Sequence, residues 1–568
     1  MATAYDLVIR GGTVVDGTRL PAFKADVAVT DGRIARISGT IAGRGKRELD
    51  ASGCVVAPGA VDLHTHYDAQ LNWDPYCTLS GWHGVTTLTI GQCGFGFAPC
   101  RAEDRDLNMR MMNRIEAIPY DSMVKGMRWD WVSFPEYLDS LERQGLGVNV
   151  ASLFPYSPLR AWVLGARAAR ERTSVTAAEL AQLRALFREG MAAGAFGFSA
   201  DRNLIDRPED GSFLPTQVAS REEFLALAEV LREFGVGHIG WTIPAEGLDG
   251  VRDPLANELM AASGRPFHWG AVVNLDSYPG IWQAQLEWLE DMHRQGYPMY
   301  GQVVCMGIDT RFTLAEYNLF DDMPGWVQPL VGTAAERAAK LRRPEVRAAM
   351  KRDLDECLTT GFHKNWEKVK VLATAEPRNA RFDGWSVARL GAEQRKHPLD
   401  AFLDLALDEA LRTEFALTDF FSGDEEVLAK LITHPYTHIS VSDGGAHTRF
   451  AVIATWPTHF LAHWVRDKGL MSLEDAHYKI SALPAWIAGF RDRGLLREGF
   501  GADAIVYEPE RLGFVYAEPV FADDFPGGER RIIQKARGYR YTIVNGTVTF
   551  EDGRCTGALP GELLRSGA

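Results

Sequence analysis

The middle of the chain alternates amphipathic helical runs with short apolar segments, and this rhythm constrains the fold more than any other feature. Thr176–Glu179 and Ser220–Glu223 both have the form of a capping box, and each opens a helical run. The two runs stop at Gly194 and near Gly235, and a short apolar segment follows each glycine. Helix, glycine and short buried strand in succession are typical of a parallel sheet or a barrel.

Both ends of the chain show a different pattern, that of short strands separated by turn signals. Apolar runs meet at Asp16-Gly17 and Asp31-Gly32 near the N-terminus, and at Asn545-Gly546 near the C-terminus. Such dipeptides between apolar runs are strong hairpin signals. We therefore predict a small β domain formed by residues 1–58 and 491–568 around a central domain of residues 59–490.

The central domain is longer than a barrel requires. A barrel of eight strand–helix units takes roughly 250 residues, whereas the span between the β-rich ends is about 430 residues. Segments near 101–135 and 305–370 are rich in Trp, Met and charged residues. We predict that these two segments are large loop insertions.

The charge and the cysteines exclude several classes of function. The formal net charge is −14 and the sequence pI is about 5.6, which disfavours nucleic acid and anionic membranes because both bind electropositive surfaces. No run approaches the roughly 18 uninterrupted apolar residues of a membrane span. The N-terminus lacks the pattern of a secretory signal, so a cytoplasmic location is expected. The seven cysteines are odd in number and unpatterned, which indicates reduced thiols.

Two histidines, His64 and His66, close an apolar run that begins at Val55. Residues i and i+2 of a strand point to the same face. Two imidazoles at this spacing, at the C-terminal end of a strand, can therefore hold one metal ion from inside a barrel. An isolated pair of this kind is as often two histidines without a metal, so the motif alone leaves both interpretations open.

Two further segments run from an apolar strand into glycines beside a potential ligand. Asp443 follows the strand-like 439–441 and precedes two glycines, where a carboxylate could bind a metal and accept a proton from a metal-bound water. Cys93 follows the strand that ends near Ile90 and could be a thiolate ligand. Taken alone, an Asp-Gly pair is most often a turn, and a single cysteine is most often a small buried apolar residue.

Taken together, several segments resemble one known family. They are Pro58–Gln70, Trp82–Thr87 with Gly91–Gly94, Ser442–His447, Arg493–Asp503, Val544–Gly546 and Thr556–Gly561. Over nearly its whole length the chain resembles the amidohydrolase superfamily and, within it, the branch of the N-acyl-D-amino-acid deacylases (D-aminoacylases). The resemblance implies an α/β fold, a (β/α)8 TIM-like barrel with a small β-sandwich domain formed from both chain termini.

The resemblance also implies a metal site and a reaction. His64 and His66 would be metal ligands, Asp443 would be both a ligand and the general acid/base, and Cys93 aligns with the thiolate ligand of the D-aminoacylases. The metal would be zinc, as one or two ions, which lowers the pKa of a bound water and polarises the scissile carbonyl. The expected reaction is hydrolysis of an amide C–N bond in a small molecule such as an N-acyl-D-amino acid. Homo-oligomers are common in the family.

The chain differs from the family at barrel strands 5 and 6. The D-aminoacylases carry one histidine at the end of each of these two strands. Here His238 and His268 stand too early, and the family positions fall near Thr242 and Ala271. Either these two histidines are ligands through a shifted register, or the site keeps only its other ligands. We favour the second interpretation, because the two strands are otherwise poor in motifs.

Two residues are candidates for binding the substrate. Tyr156 stands in the strand-3 segment Pro155–Arg160, where the family usually has a histidine. Its hydroxyl could polarise the substrate carbonyl, or its ring could simply be packed in the core. Arg449, six residues beyond Asp443, is the best-placed cation for the carboxylate of an N-acyl amino acid.

Two other functions stay open on the sequence alone. Tyr156 in place of a histidine points to a hydrolase of a cyclic amide or another polarised carbonyl, such as a hydantoin or a lactam. The missing strand-5 and strand-6 histidines give some weight to a non-catalytic binding protein on the same fold. The presence of His64, His66 and Asp443 counts against that third possibility.

Overall fold

Eight parallel strands form the centre of the molecule, in a computed structural model that describes residues 3–242, 252–275, 278–316, 319–357, 361–421 and 423–567. The strands are β1 (Ala60–Asp62), β2 (Val85–Ile90), β3 (Asn149–Ser152), β4 (Gly197–Asp201), β5 (His238–Thr242), β6 (Phe267–Val272), β7 (Met299–Val303) and β8 (Thr437–His438). Each strand pairs in parallel with the next, and Phe154–Pro155 continues β3 to reach β4.

The chain closes the barrel between β8 and β1. The Leu63 amide donates to the Ser440 hydroxyl at 2.8 Å, and the His66 amide donates to the Gly444 carbonyl at 2.7 Å. The α/β fold with a (β/α)8 TIM-like barrel, predicted from the sequence, is confirmed.

Helices surround the barrel and shield its strands from water. They are Phe134–Gln144, Tyr156–Leu164, Ala168–Glu171, Ala177–Ala192, Pro215–Val218, Arg221–Phe234, Pro254–Ser263, Ile281–Arg294, Glu425–Thr433, Trp456–His459, Leu473–His477 and Leu483–Ala488, with π-helical turns at Phe460–Asp467 and Tyr478–Ala482. The two predicted capping boxes begin helices as expected: the Glu179 amide donates to the Thr176 hydroxyl, and the Ser220 amide donates to the Glu223 carboxylate. All of the described helices are too short or too polar to cross a membrane.

Two insertions project from the C-terminal end of the barrel. The first follows β2 and contains the helices Arg105–Ile115 and Tyr120–Gly126. The second lies between β7 and β8 and is longer than predicted, because its antiparallel sheet pairs Ile308–Phe312 and Val369–Ala373 with the distant Glu414–Phe421. Its helices are Pro324–Val327, Ala334–Leu341, Pro344–Glu356, Val387–Gln394 and Pro398–Asp408. The second insertion has an apolar core of its own.

The two chain ends form one small β domain, as predicted. Its nine-stranded sheet contains Thr3–Val14, Phe23–Thr30, Arg33–Ser38, Arg44–Asp50, Val55–Pro58, Ala504–Tyr507, Tyr539–Val544, Thr547–Glu551 and Arg554–Cys555. Two short ribbons, Val520–Phe525 with Glu529–Ile533 and Gly513–Phe514 with Ala536–Arg537, lie beside it. Asp31-Gly32 and Asn545-Gly546 are tight hairpin turns in which all four residues have positive φ.

The small domain meets the barrel where strands from the two chain ends pair. Val55–Pro58 lies antiparallel to Ala504–Tyr507 and leads directly into β1. Arg493 forms a buried ion pair with Asp503 at 2.9 Å. These contacts fix the start of β1, and therefore the position of the histidines that follow it.

Candidate metal centre

A cavity of about 230 Å³ opens at the C-terminal ends of the barrel strands, which is where barrel active sites lie. Residues after β1, β2 and β8 contribute side chains to it, as do the ends of β5, β6 and β7. Among the potential metal ligands on its wall are His64, His66, Cys93, Glu116, Asp443 and His447.

The His64 ring is oriented by an amide behind it. Its Nδ1 lies 2.7 Å from the Gln302 Oε1, and an oxygen can only accept, so the proton of the neutral ring is on Nδ1. The Gln302 amide nitrogen in turn donates to His268 Nδ1 at 2.8 Å. The Nε2 lone pair of His64 therefore faces the cavity, which is the orientation that a metal-binding imidazole needs.

The His66 ring is almost entirely buried beside His64. Its Nε2 lies 3.9 Å from the nearer carboxylate oxygen of Asp443. Burial, and then the neighbouring rings of His64 and His447, lower the pKa of His66 well below its usual value. The neutral imidazole is the form that binds a metal ion.

Cys93 lies three residues beyond the end of β2, in the left-handed conformation with a φ of 54°. Its sulfur is 3.3 Å from His64 Nε2 and 3.4 Å from the Thr242 hydroxyl. Ligand atoms of Cys93, His64 and His66 all lie within 4.8 Å of one another. Burial, with the carboxylates of Asp201 and Glu116, raises the pKa of the Cys93 thiol, so the thiolate requires a cation beside it.

Asp443 reaches the histidines from the loop after β8. Its Oδ1 lies 3.3 Å from His64 Nε2, and its amide donates to the His64 carbonyl at 3.2 Å. A Cβ on Gly444 would lie 2.5 Å from the Tyr67 ring, and one on Gly445 would lie 2.6 Å from the His66 carbonyl. The two glycines therefore permit the close approach of this loop to β1.

The donor set fits a divalent transition metal. It combines a sulfur, imidazole nitrogens and a carboxylate, which are the ligand types that zinc prefers. The separations of 3.3 Å between neighbouring donor atoms match those of two ligands on one ion with bonds of about 2.0–2.3 Å. Residues predicted separately from three strand ends are thus brought together by the barrel.

Glu116 is a donor that the sequence reasoning missed. It directly follows the helix Arg105–Ile115 of the first insertion and is 4% exposed. Its carboxylate oxygens lie 3.6 Å from His66 Nε2 and 3.5 Å from His447 Nε2. Burial, and then Asp443, raise the pKa of Glu116 well above its usual value. No motif marks Glu116, whereas His447 belongs to the recognised segment after β8.

His238 and His268 lie deeper in the barrel, outside the residues that line the cavity. Both are fully buried at the beginnings of β5 and β6, and their rings contact each other with centroids 4.7 Å apart. His268 connects to the cavity through Gln302. Thr242 and Ala271 line the cavity in their place.

The two predicted substrate-binding residues also lie outside this cavity. The Tyr156 hydroxyl donates to Glu223 at 2.6 Å in the buried core. Arg449 lies 3.3 Å from Glu316 and 3.7 Å from Glu529, and it lines a separate cavity.

The cavity wall also contains arginines and aspartates that no sequence motif marks. Arg114 holds Asp321 through two hydrogen bonds of 2.7 and 3.0 Å. Arg207 lines the cavity, and its Nε has no hydrogen-bond partner among the described residues. Burial raises the pKa of Asp206 to about 7, and this carboxyl faces Asp201.

The chain is similar to known proteins both in sequence and in structure. A family profile described as the amidohydrolase family matches residues 47–550. D-aminoacylase of Alcaligenes xylosoxydans xylosoxydans is 26% identical, covering 99% of this chain and 97% of that protein. N-acyl-D-aspartate deacylase of the same organism is 27% identical, covering 99% and 95%.

A solved structure shares the fold. N-acyl-D-glutamate deacylase from Bordetella bronchiseptica, crystallised with zinc and a phosphonate inhibitor that mimics the tetrahedral intermediate, has a TM-score of 0.66. It is 24% identical and covers 99% of this chain and 100% of that one. The barrel and its associated small β domain are therefore a shared architecture.

Proposed function

The chain belongs to the amidohydrolase family, as its motifs predict, and we propose that it is a metal-dependent hydrolase of N-acyl amino acids. An enzyme that hydrolyses carbon–nitrogen bonds follows from the family and from the deacylases among its relatives. The finer assignment, an N-acyl-D-amino-acid deacylase, is supported by the deacylase activities after which those relatives are named. One observation carries it: the donor atoms of His64, His66, Cys93 and Asp443 converge at the end of the barrel.

The ion that fits these donors is zinc, as one or two ions. When bound, it would lower the pKa of the attacking water and polarise the scissile carbonyl. His64, His66 and Cys93 would hold it, and Gln302 would keep the His64 ring in the ligating tautomer.

Asp443 is the residue that we assign to proton transfer. Its carboxylate is 26% exposed, in contrast to the more buried imidazoles beside it, so it can touch both a water molecule and the substrate. It would accept the proton of the attacking water and return it to the leaving nitrogen. The same carboxylate would also be a metal ligand.

The rest of the cavity suggests what the substrate presents. One wall is apolar and is formed by Val273, Leu275, Ile308, Phe420, Phe421 and Ile453. Arg207 lines the same cavity, and none of the described residues forms a hydrogen bond with its Nε. We assign the apolar wall to the acyl chain or the amino-acid side chain, and Arg207 to the substrate carboxylate.

Arg207→Ala should raise KM about 10–100-fold, because a hydrogen bond to a charged group contributes about 1.5–3 kcal/mol. The turnover number should change much less, since the guanidinium binds the substrate equally before and during the reaction. The measurement is steady-state kinetics on an N-acyl amino acid and on its amide, which lacks the carboxylate.

Arg449→Ala is the matched comparison, because the sequence pointed to Arg449 for the same role. We expect its KM to stay near that of the native enzyme. A large rise in KM for Arg449→Ala with none for Arg207→Ala would reverse the assignment.

The cyclic-amide alternative depended on Tyr156. Because the Tyr156 hydroxyl donates to Glu223 away from the cavity, no observation now favours that activity over deacylation. The non-catalytic alternative depended on missing ligands, and the convergent donors weigh against it.

The proposed function is tested by amine release from zinc-loaded protein. N-acetyl and longer N-acyl derivatives of apolar D-amino acids should release amine, and their L-enantiomers should react more slowly. Hydantoin and dihydropyrimidine ring opening serve as the comparison. Ring opening without any amine release from the acyl amino acids would contradict the deacylase assignment.

A further inference from the structure

We infer that Glu116 is a direct ligand of the metal ion, supplying the donor that the strand-5 and strand-6 positions lack here. This inference rests on the proposed function, since it concerns the same metal site. Its starting point is position: Glu116 Oε1 lies 3.6 Å from His66 Nε2, close to the separation of two ligands on one ion.

The surroundings of the Glu116 carboxylate are those of a ligand. It is 4% exposed, and among the described residues its ion-pair contacts are the two imidazoles of His66 and His447. No described lysine or arginine forms an ion pair with its oxygens. A buried carboxylate in such surroundings is costly unless a cation accompanies it.

Glu223 shows what a buried structural carboxylate looks like in the same protein. Its oxygens accept from Arg160, from the Tyr156 hydroxyl at 2.6 Å and from the Ser220 amide at 2.8 Å. Its charge is therefore fully compensated by the protein. Among the described residues Glu116 has no equivalent set of partners, and a bound cation would compensate its charge.

The backbone also argues against a stabilising role for Glu116. It caps the C-terminus of the helix Arg105–Ile115, and its amide donates to the Met112 carbonyl. The negative end of a helix dipole disfavours a carboxylate at that position. A carboxylate that is unfavourable for the helix, and with which no described lysine or arginine pairs, is accounted for by a bound metal ion.

His447 holds this carboxylate in place from the other side. Its Nε2 lies 3.5 Å from the second oxygen of Glu116, and its amide donates to the Glu116 carbonyl at 2.6 Å. Asp443 lies four residues before His447 in the loop after β8, so this loop links Glu116 to Asp443. We assign His447 as a positioning residue for Glu116.

Glu116→Gln tests the inference through metal binding and stability, without reference to activity. We expect the zinc dissociation constant, measured by competition with a chromophoric chelator, to rise at least about tenfold. The metal-free variant should melt at about the same temperature as the metal-free native protein, because the amide matches the carboxyl in shape and no described lysine or arginine pairs with Glu116. The rise in melting temperature on adding zinc should shrink.

Glu223→Gln is the matched control. It should lower the melting temperature of the metal-free protein and leave the zinc dissociation constant unchanged. Cobalt substitution adds a spectroscopic readout: Glu116→Gln should alter the visible ligand-field bands while the charge-transfer band of the Cys93 thiolate persists.

Native zinc affinity in Glu116→Gln would overturn the inference and leave the proposed function standing. A destabilised metal-free Glu116→Gln, resembling Glu223→Gln, would assign Glu116 a structural role and also overturn it. Failure of the native protein itself to bind zinc would instead refute the proposed function.

Discussion

Asp443→Asn should lower kcat by about 10³-fold while the protein stays folded and retains its metal. An asparagine side chain has the same shape and can still offer an oxygen to a metal ion, but it cannot accept a proton from water at neutral pH. General acid–base groups contribute about 10²–10⁴-fold to rate. The backbone bond from residue 443 to the His64 carbonyl does not involve the side chain and should persist.

The measurement combines kcat, zinc content and far-ultraviolet circular dichroism of the same preparation. Asp206→Asn is the control, because Asp206 is another carboxylate on the cavity wall and its carboxyl is hydrogen-bonded to Asp201. We expect it to lose less than about tenfold in kcat. Near-native turnover in Asp443→Asn, with zinc bound, would remove Asp443 from proton transfer.

Removal of the metal should abolish hydrolysis and lower the melting temperature by several degrees. The donors converge in a buried cluster, and without a cation the thiol of Cys93 stays protonated because burial raises its pKa. Binding to the folded state alone stabilises it by about 4 kcal/mol when the ligand is at 1,000 times its dissociation constant. The measurement is amine release and thermal unfolding before and after chelation.

Adding metal ions back to the chelated protein distinguishes a specific metal site from general stabilisation. Zinc or cobalt should restore both activity and melting temperature, because sulfur and imidazole ligands suit these ions. Magnesium should restore neither, since it prefers oxygen ligands and keeps its water. Full activity in chelated protein shown to be free of metal would exclude the metal-dependent mechanism.

Much of the fold could be predicted because its signals are local. The capping boxes at Thr176 and Ser220 begin helices, and the turns at Asp31 and Asn545 are hairpins, because each depends on a few adjacent residues. The extent of the second insertion could not be predicted in the same way. Its sheet pairs Arg311 with Ala416, and such a pairing leaves no trace in either local segment.

The candidate site residues also differ in whether local sequence signals predicted their positions. His64 and His66 close an apolar run, Cys93 and Asp443 stand where a strand runs into glycines, and the barrel brings the four together. Tyr156 and Arg449 stand near motifs as well, yet their side chains reach Glu223 and Glu316 instead of the cavity. Adjacency to a motif does not decide where a long side chain points.

Local patterns predicted the small β domain and a parallel sheet or barrel, and the resemblance to a known family specified the (β/α)8 barrel and the strand ends that would hold a metal ion. These local patterns are informative because a strand's face and a turn's geometry follow from neighbouring residues. Only the tertiary structure placed Glu116 against His66 and His447, and placed Arg207 on the cavity wall. These contacts join segments far apart in the chain, and their positions depend on how the insertions pack across the barrel's mouth.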